Sequence, residues 1–247
     1  MVKILKKLSY LLVLCAMFFQ SSVFATKELK IAFVGNFNSG KTQLRKTTTK
    51  QSFVFTREPT LYTSKFSYPL RYKNTTLMCS LFDTSGNSKV KNAIIEDRLK
   101  GTHIAVITVD VSVNISNESG QKFDDVIEKS FDDWVKTIRK VQPDTYILLA
   151  ITKHDVSKVN EQDLRNRCEH LKGWYKNRFD YVFTSARTGE GIGNSDSQDD
   201  FSNNFWGKIR NILQTENIIS KLQEWDSNEE YRHGNDSTKH FWECFIV

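Results

Sequence analysis

With 247 residues, the chain is long enough to bury one substantial hydrophobic core. Its apolar fraction of 39% and charged fraction of 26% exclude disordered and collagen-like proteins. The net charge of +6 at pH 7 comes from 35 basic and 29 acidic residues that are scattered along the chain, so we expect a mixed solvated surface and no nucleic-acid partner.

The first 25 residues have the layout of a secretory signal peptide. Lysines precede a continuous apolar run, Tyr10 to Phe19, and small residues at the cleavage positions fit processing after Ala25. The run is too short to cross a hydrocarbon layer of ~30 Å as a helix that rises ~1.5 Å per residue. We therefore favour a cleavable signal for residues 1–25 over an uncleaved membrane anchor or a simple apolar leader.

Strand and helix patterns then alternate, which predicts a single α/β domain over residues 27–225. We expect a mostly parallel six-stranded sheet with helices on both faces. Strand patterns cover residues 29–34, 61–72, 76–82, 104–111, 146–151 and 181–183. Helical patterns cover residues 41–49, 122–141 and 164–175, and a last helix opens at Phe205.

The remaining segments are polar or aperiodic. Residues 114–121 and 194–204 are predicted surface loops, and residues 226–247 are a predicted flexible tail. The four cysteines include no CxxC pair, and no histidine cluster has metal-ligand spacing, so a zinc site or a disulfide framework is not expected. Cys79 and Cys168 lie in apolar patterns and are predicted to be buried.

A complete GxxxxGK[ST] element follows the first predicted strand and opens the first helix. Backbone N–H groups in such a loop point at phosphate oxygens, helped by the helix dipole. Lys41 is expected to reach the β- and γ-phosphates, and the Thr42 hydroxyl to bind Mg²⁺. The element consists of Gly35, Asn36, Phe37, Asn38, Ser39, Gly40, Lys41 and Thr42.

The sequence Thr152-Lys153-His154-Asp155 indicates which base the nucleotide carries. It follows the fifth predicted strand, at the sheet edge where ligands bind in open α/β folds. A carboxylate there accepts both the ring N–H and the exocyclic amine of guanine, and adenine offers no such pair of donors. Lys153 is expected to lay its methylene stem along the base.

Two further segments complete the predicted base site. Ser185-Ala186-Arg187, after the last strand, is expected to supply a backbone N–H to the guanine carbonyl. Phe53 is interpreted either as a ring that packs against guanine or as an ordinary core phenylalanine.

Oxygen ligands for a magnesium ion are predicted from three separate segments. Asp83, in the sequence Asp83-Thr84-Ser85-Gly86, is suited to hold a Mg²⁺-bound water, and the Thr60 hydroxyl to complete the shell begun by Thr42. Gly86 is expected to present its N–H to the γ-phosphate, because a residue without Cβ allows that close approach.

In their order and spacing these motifs resemble those of the Ras-like small GTPases, including the Rab and Rho branches. The first position of the guanine motif is Thr152, where asparagine is commoner in the family, and this variant is similar to that of the Rho branch. The resemblance implies a P-loop fold and a GTP/GDP-binding molecular switch that uses Mg²⁺. It also implies effector or regulator proteins that bind loops around residues 53–63 and 86–100, and we expect a monomer.

Two residues depart from the family pattern. Phe37 stands where family members typically have a small residue, and Asn87 where they have a water-positioning glutamine. A bulky ring beside the γ-phosphate would crowd the attacking water, and Asn87 is one methylene shorter than glutamine. With Lys41 and Asn87 as the candidate catalytic residues, GTP binding with slow hydrolysis is predicted.

Two other functions stay open. A hydrolysis-deficient GTP-binding interaction module would use the same fold, and a P-loop ATP-dependent kinase or ATPase would require Asp155 to be coincidental. Cys244 begins a Cys-a-a-X ending, although Glu243 and the final Val247 favour a plain apolar tail over prenylation. Localisation is open as well, because the leader suggests export or a membrane, whereas GTP supply favours the cytosol.

Overall fold

The computed structural model describes residues 28–55, 60, 63–86, 97–112, 123–175, 178–198, 200–216 and 218–219, with side chains of the longest helix described from residue 131 onward. The predicted leader 1–25, Asn87, and the tail 226–247 with Cys244 lie outside these residues. So do parts of the two loops expected to bind partners. Within the described part of the chain, no helix combines the length and hydropathy needed to cross a membrane.

The centre of the molecule is a six-stranded sheet in the order β2-β3-β1-β4-β5-β6. Strand β2 pairs antiparallel with β3, and the other neighbours are parallel. This confirms the predicted mostly parallel α/β fold. The strands are β1 Glu28–Gly35, β2 Ser64–Tyr72, β3 Thr75–Asp83, β4 Ile104–Asp110, β5 Tyr146–Thr152 and β6 Phe179–Phe183.

Helices cover both faces of the sheet because successive strand residues point to opposite sides. In β1, Leu29, Ile31 and Phe33 belong to one core cluster and Ala32 and Val34 to the other. The first cluster also contains residues of α1 (Lys41–Thr48) and α4 (Phe205–Thr215). The second contains residues of α2 (Phe123–Val141) and α3 (Glu161–Tyr175).

Element boundaries differ from the sequence prediction mainly at strand ends. Strand β6 begins at Phe179, two residues before the predicted start, because Phe179 pairs with Ile147 and is 1% exposed. Strand β3 begins at Thr75, which pairs with Tyr72 across a turn that contains Lys73 at φ 50°. Alternation of apolar residues could not locate these ends, since pairing decides them.

The predicted surface loop 194–204 is anchored by Arg210 of α4, which is fully buried. Its guanidinium donates to the carbonyls of Asn194 at 2.8 Å, Ser195 at 2.9 Å and Asp200 at 3.2 Å. It also donates to the carbonyl of Arg71 on edge strand β2 at 3.1 Å. A buried cation therefore helps to fix the loop against the sheet edge, together with the Arg71 N–H, which donates to the Ser195 carbonyl at 3.1 Å.

The free cysteines Cys79 and Cys168 are both buried, as predicted. Burial raises the pKa of each thiol to about 12, so neither is a reactive thiolate at neutral pH. The described residues contain no group of histidine, cysteine, aspartate or glutamate side chains able to hold a metal ion by themselves.

Candidate functional site

A cavity of about 620 Å³ opens at the carboxyl ends of the parallel strands. Four segments of the chain line it: the glycine-rich loop after β1, residues 53–55, the loop after β5, and the loop after β6. Parallel strands bring the loops that follow them to one edge, and this is how motifs more than 100 residues apart meet. Among the lining residues are Asn38, Gly40, Phe53, Lys153, Asp155 and Arg187.

Positive φ angles shape the glycine-rich loop. Gly35 has φ 144°, Asn38 φ 60° and Gly40 φ 88°. A Cβ on Gly35 would lie 2.4 Å from the Thr108 hydroxyl oxygen, so no larger residue fits beside β4. Gly40 precedes the first residue of α1 and has no side chain with which to cap the helix.

Side chains from the sheet hold this loop in place. The Ser39 hydroxyl lies 2.6 Å from that of Thr108, and the Thr152 hydroxyl donates to the carbonyls of Ser39 at 2.7 Å and Val109 at 3.0 Å. Thr152 thus ties β5 to the loop, a positioning contact that the sequence analysis missed. Trp134 of α2 adds a hydrogen bond from its indole N–H to the Asn36 side-chain oxygen at 3.2 Å.

Lys41 is buried, with 6% of its surface exposed, and its Nζ donates to the carbonyls of Gly35 at 3.1 Å and Asn36 at 2.8 Å. Burial lowers its pKa to about 8, opposed by the nearby charge of Asp83. The ammonium is therefore held in the loop by neutral carbonyls, and an anion would hold it better.

Gly86 packs closely against the glycine-rich loop. A Cβ on Gly86 would lie 2.7 Å from Lys41 Nζ and from both the Cα and the backbone nitrogen of Phe37. These separations are too short for a carbon atom, so a larger residue at this position would force the loop or Lys41 to move.

Three hydroxyl and carboxyl groups from different segments meet below the loop. The Thr42 and Thr60 hydroxyl oxygens are 2.7 Å apart, and Thr42 also hydrogen-bonds the Asp83 carboxyl. Burial raises the pKa of Asp83, while the Thr42 contact and the charges of Arg45 and Lys41 oppose the rise. Asp83 Oδ1 is buried without a hydrogen-bond partner among the described residues. Oxygen donors with one unsatisfied carboxylate oxygen fit Mg²⁺.

At the other end of the cavity, the Asp155 side chain is 9% exposed and contacts Arg187, with Nη2 2.5 Å from Oδ2. Oδ2 nevertheless has no hydrogen bond of acceptable geometry in the described part of the chain, so the contact is a charge pair with poor hydrogen-bond direction. Lys153, at φ 58°, bonds Asp110 Oδ2 at 2.5 Å, and Ser112 donates to Asp110 Oδ1. Asp110 fixes the Lys153 side chain and was not among the predicted site residues.

The aromatic segment 53–55 forms the outer wall. Phe53 lines the cavity and belongs to neither core cluster, whereas Phe55 is 82% exposed. The Gln43 side chain of α1 holds the segment by donating to the Val54 carbonyl at 2.7 Å and accepting from the Val54 N–H at 3.3 Å. Gln43 is a second residue that the sequence analysis missed, because no motif includes it.

The loop after β6 joins the same wall. Thr47 of α1 donates to the Ala186 carbonyl at 3.1 Å, and the Ser185 hydroxyl accepts from the Thr188 N–H at 3.2 Å. The predicted residues of the glycine-rich loop, the base site and the ion site therefore converge on one sheet edge. Asn87 lies outside the described residues, so its predicted position stays untested.

Comparison with known families gives one match. The model described as the Ras family matches residues 30–196, more than half of the chain, and this range includes every motif above. A search of curated proteins finds no match.

Proposed function

Because the chain belongs to the Ras family, a family of small GTPase-like nucleotide-binding switches, we propose that it binds GTP and GDP with Mg²⁺ and hydrolyses GTP slowly. The observation that carries the proposal is one cavity in which Asp155 and the glycine-rich loop face the same space. A purine held by Asp155 would direct its phosphates towards Lys41.

The residues predicted to meet the β- and γ-phosphates and the ion have defined parts in this proposal. Lys41 would leave its carbonyl partners for the β- and γ-phosphates, and Gly86 would present its N–H to the γ-phosphate. Thr42, Thr60 and Asp83 would hold Mg²⁺, which neutralises phosphate charge when bound. Loss of the γ-phosphate would release Thr60 and Gly86 and so relax both attached loops.

Base selection would depend on the carboxylate of Asp155. We expect that GTP and GDP displace a fluorescent GDP analogue from the nucleotide-free chain, and that ATP at the same concentrations does not. Asp155→Ala should weaken GDP binding about 100-fold or more, since the hydrogen bonds of guanine to a buried charged group are lost. Asp163→Ala, at an exposed position of α3, is the matched control. Equal displacement by ATP would instead favour an ATP-dependent kinase or ATPase.

Slow hydrolysis is supported by Phe37, which is 62% exposed at the cavity mouth. The Phe37 backbone packs against Gly86, the residue proposed to meet the γ-phosphate, so a bulky side chain at position 37 would crowd the attacking water. We expect a single-turnover rate below that of ordinary small GTPases. No turnover at all, with GTP binding intact, would identify the hydrolysis-deficient module.

Partner binding is proposed at the cavity mouth. Phe37, Val54 and Phe55 are 62%, 49% and 82% exposed and line one cavity, and clustered exposed apolar residues mark interaction sites. Phe37 belongs to the proposed phosphate-binding loop, so regulators or effectors that cover this cluster would sense the nucleotide state. Pull-down partners that require GTP, and that are lost on Phe55→Ser, would support this.

A further inference from the structure

The contact between Asp155 and Arg187 bears on which purines the proposed site accepts. Arg187 is an exposed side chain, at 57%, yet its Nη2 lies 2.5 Å from the buried oxygen Oδ2 of Asp155. A guanidinium therefore covers one of the two oxygens of the base-recognising carboxylate. This inference rests on the proposed guanine-nucleotide function.

Guanine uses both oxygens of such a carboxylate, one for the ring N–H and one for the 2-amino group. With a cation on Oδ2, one of the two guanine donors must displace Arg187 or donate to an oxygen whose charge is already neutralised. Hypoxanthine keeps the 6-carbonyl and the ring N–H and lacks the 2-amino group. It needs one carboxylate oxygen and leaves Arg187 in place.

We propose that Arg187 broadens the base site to 6-oxopurine nucleotides with or without a 2-amino group, so that inosine nucleotides bind nearly as well as guanosine nucleotides. Adenine stays excluded, since it lacks the ring N–H donor that Asp155 accepts. Arg187 is thereby a specificity-determining residue that acts on Oδ2 of Asp155.

The test compares GDP, IDP and ADP as competitors of a fluorescent GDP analogue on the nucleotide-free full chain. For the wild type we expect the Kd of IDP to lie within about 10-fold of that of GDP. One hydrogen bond to an unobstructed charged group changes affinity by about 10- to 100-fold. Arg187→Gln should therefore tighten GDP binding, leave IDP nearly unchanged and widen their ratio at least 10-fold.

Two variants support the comparison. Arg165→Gln removes an arginine of α3 that makes an equally close pair, 2.5 Å from Glu161, and should leave the ratio unchanged. Arg187→Lys keeps a positive charge, so its ratio should lie nearer the wild type than that of Arg187→Gln. If circular dichroism shows that Arg187→Gln does not fold, the GDP/IDP ratio of Arg187→Lys provides the test instead.

The outcomes separate the two proposals. A wild-type preference for GDP over IDP above 100-fold, or a ratio that Arg187→Gln does not move, overturns the role of Arg187 and leaves GTP binding intact. Failure of GDP to bind, or equal binding of ADP, overturns the proposed function and this inference with it.

Discussion

The two ends of the parallel strands use buried polar groups in opposite ways. At the amino ends these groups satisfy one another: His103 Nδ1 accepts from the Lys30 N–H at 3.0 Å, and Thr145 donates to the Thr102 carbonyl at 2.9 Å. Arg139 donates to the carbonyl of Thr145 at 2.7 Å. The polar groups named here, all within the described part of the chain, therefore have hydrogen-bond partners inside the fold.

At the carboxyl ends the described residues leave groups unsatisfied. Asp83 Oδ1 is buried without a hydrogen bond to any described residue, Asp155 Oδ2 has only the charge of Arg187 beside it, and Lys41 is held by backbone carbonyls. An unsatisfied buried polar group costs about 1–3 kcal/mol, so this end gives up stability that a ligand would restore. The contrast teaches that the same kinds of side chain stabilise the fold at one end and are held ready for a ligand at the other.

The largest expected effect comes from Lys41→Met. We expect GDP affinity to fall about 100-fold or more, because a buried cation on two phosphates is lost. The thermal midpoint of the nucleotide-free protein should change by less than about 5 °C, since the burial that lowers the Lys41 pKa disfavours its charge in the fold.

Lys30→Met is the control at the amino ends. Lys30 Nζ donates to the Lys100 carbonyl, so this change should cost about 1 kcal/mol of stability and leave GDP affinity unaltered. Equal GDP affinity of Lys41→Met and the wild type would contradict the proposed phosphate site.

The next largest effect is the pH dependence of stability caused by His103, at the amino ends of the strands. Burial, followed by the charge of Lys30, lowers the pKa of His103 from 6.5 to about 4. The unfolded histidine takes up its proton near pH 6.5 and the folded one near 4. The unfolding free energy associated with neutral His103 is therefore fully present above pH 6.5 and is lost as pH falls towards 4.

Between pH 7 and pH 5 the wild type should lose about 2 kcal/mol more unfolding free energy than His103→Asn, measured with urea at both pH values. Asparagine keeps an acceptor for the Lys30 N–H. Parallel pH dependences in the two proteins would show that His103 is not held neutral by the fold.

A smaller effect is expected at the mouth of the cavity. Replacing Phe37 by Gly together with Asn87 by Gln should raise the single-turnover GTP hydrolysis rate about 10-fold or more, because water gains space and a longer positioning side chain. GDP affinity should stay within about threefold. An unchanged rate would mean that neither residue limits hydrolysis.

The smallest effect concerns Gln43, whose amide holds Val54. Gln43→Ala should speed GDP dissociation about threefold to tenfold, since two exposed hydrogen bonds that position Phe53 are lost. Gln142→Ala is the matched control at the amino ends, where its side-chain oxygen accepts from the Gly101 N–H at 3.4 Å. Stopped-flow release of a fluorescent GDP analogue measures the dissociation rate of both variants. A Gln43→Ala rate equal to that of the wild type would show that Gln43 does not contribute to nucleotide binding.

The sequence by itself determined the fold class, the order of strands and helices, and the motifs that identify the family. These are local properties: apolar periodicity reports secondary structure, and the glycine-rich loop and Thr152-Lys153-His154-Asp155 are contiguous. Even the convergence of most motifs followed from local information. The glycine-rich loop, Asp83-Thr84-Ser85-Gly86 and Thr152-Lys153-His154-Asp155 each come after a predicted strand, and the carboxyl ends of parallel strands share one edge. Phe53 and Thr60 follow a helix instead, and only the tertiary structure brings them to this edge.

Only the tertiary structure decided which side chains hold the site and which oxygens stay free. Thr152 reaches Ser39 across 113 residues of sequence, and Arg210 reaches Arg71 across 139. The contact of Arg187 with Asp155 joins two motifs in a way that neither motif predicts, and the hydrogen bonds of Gln43 to Val54 belong to no motif. Such contacts depend on distances and directions between elements packed together, and a pattern read along one chain carries no measure of either.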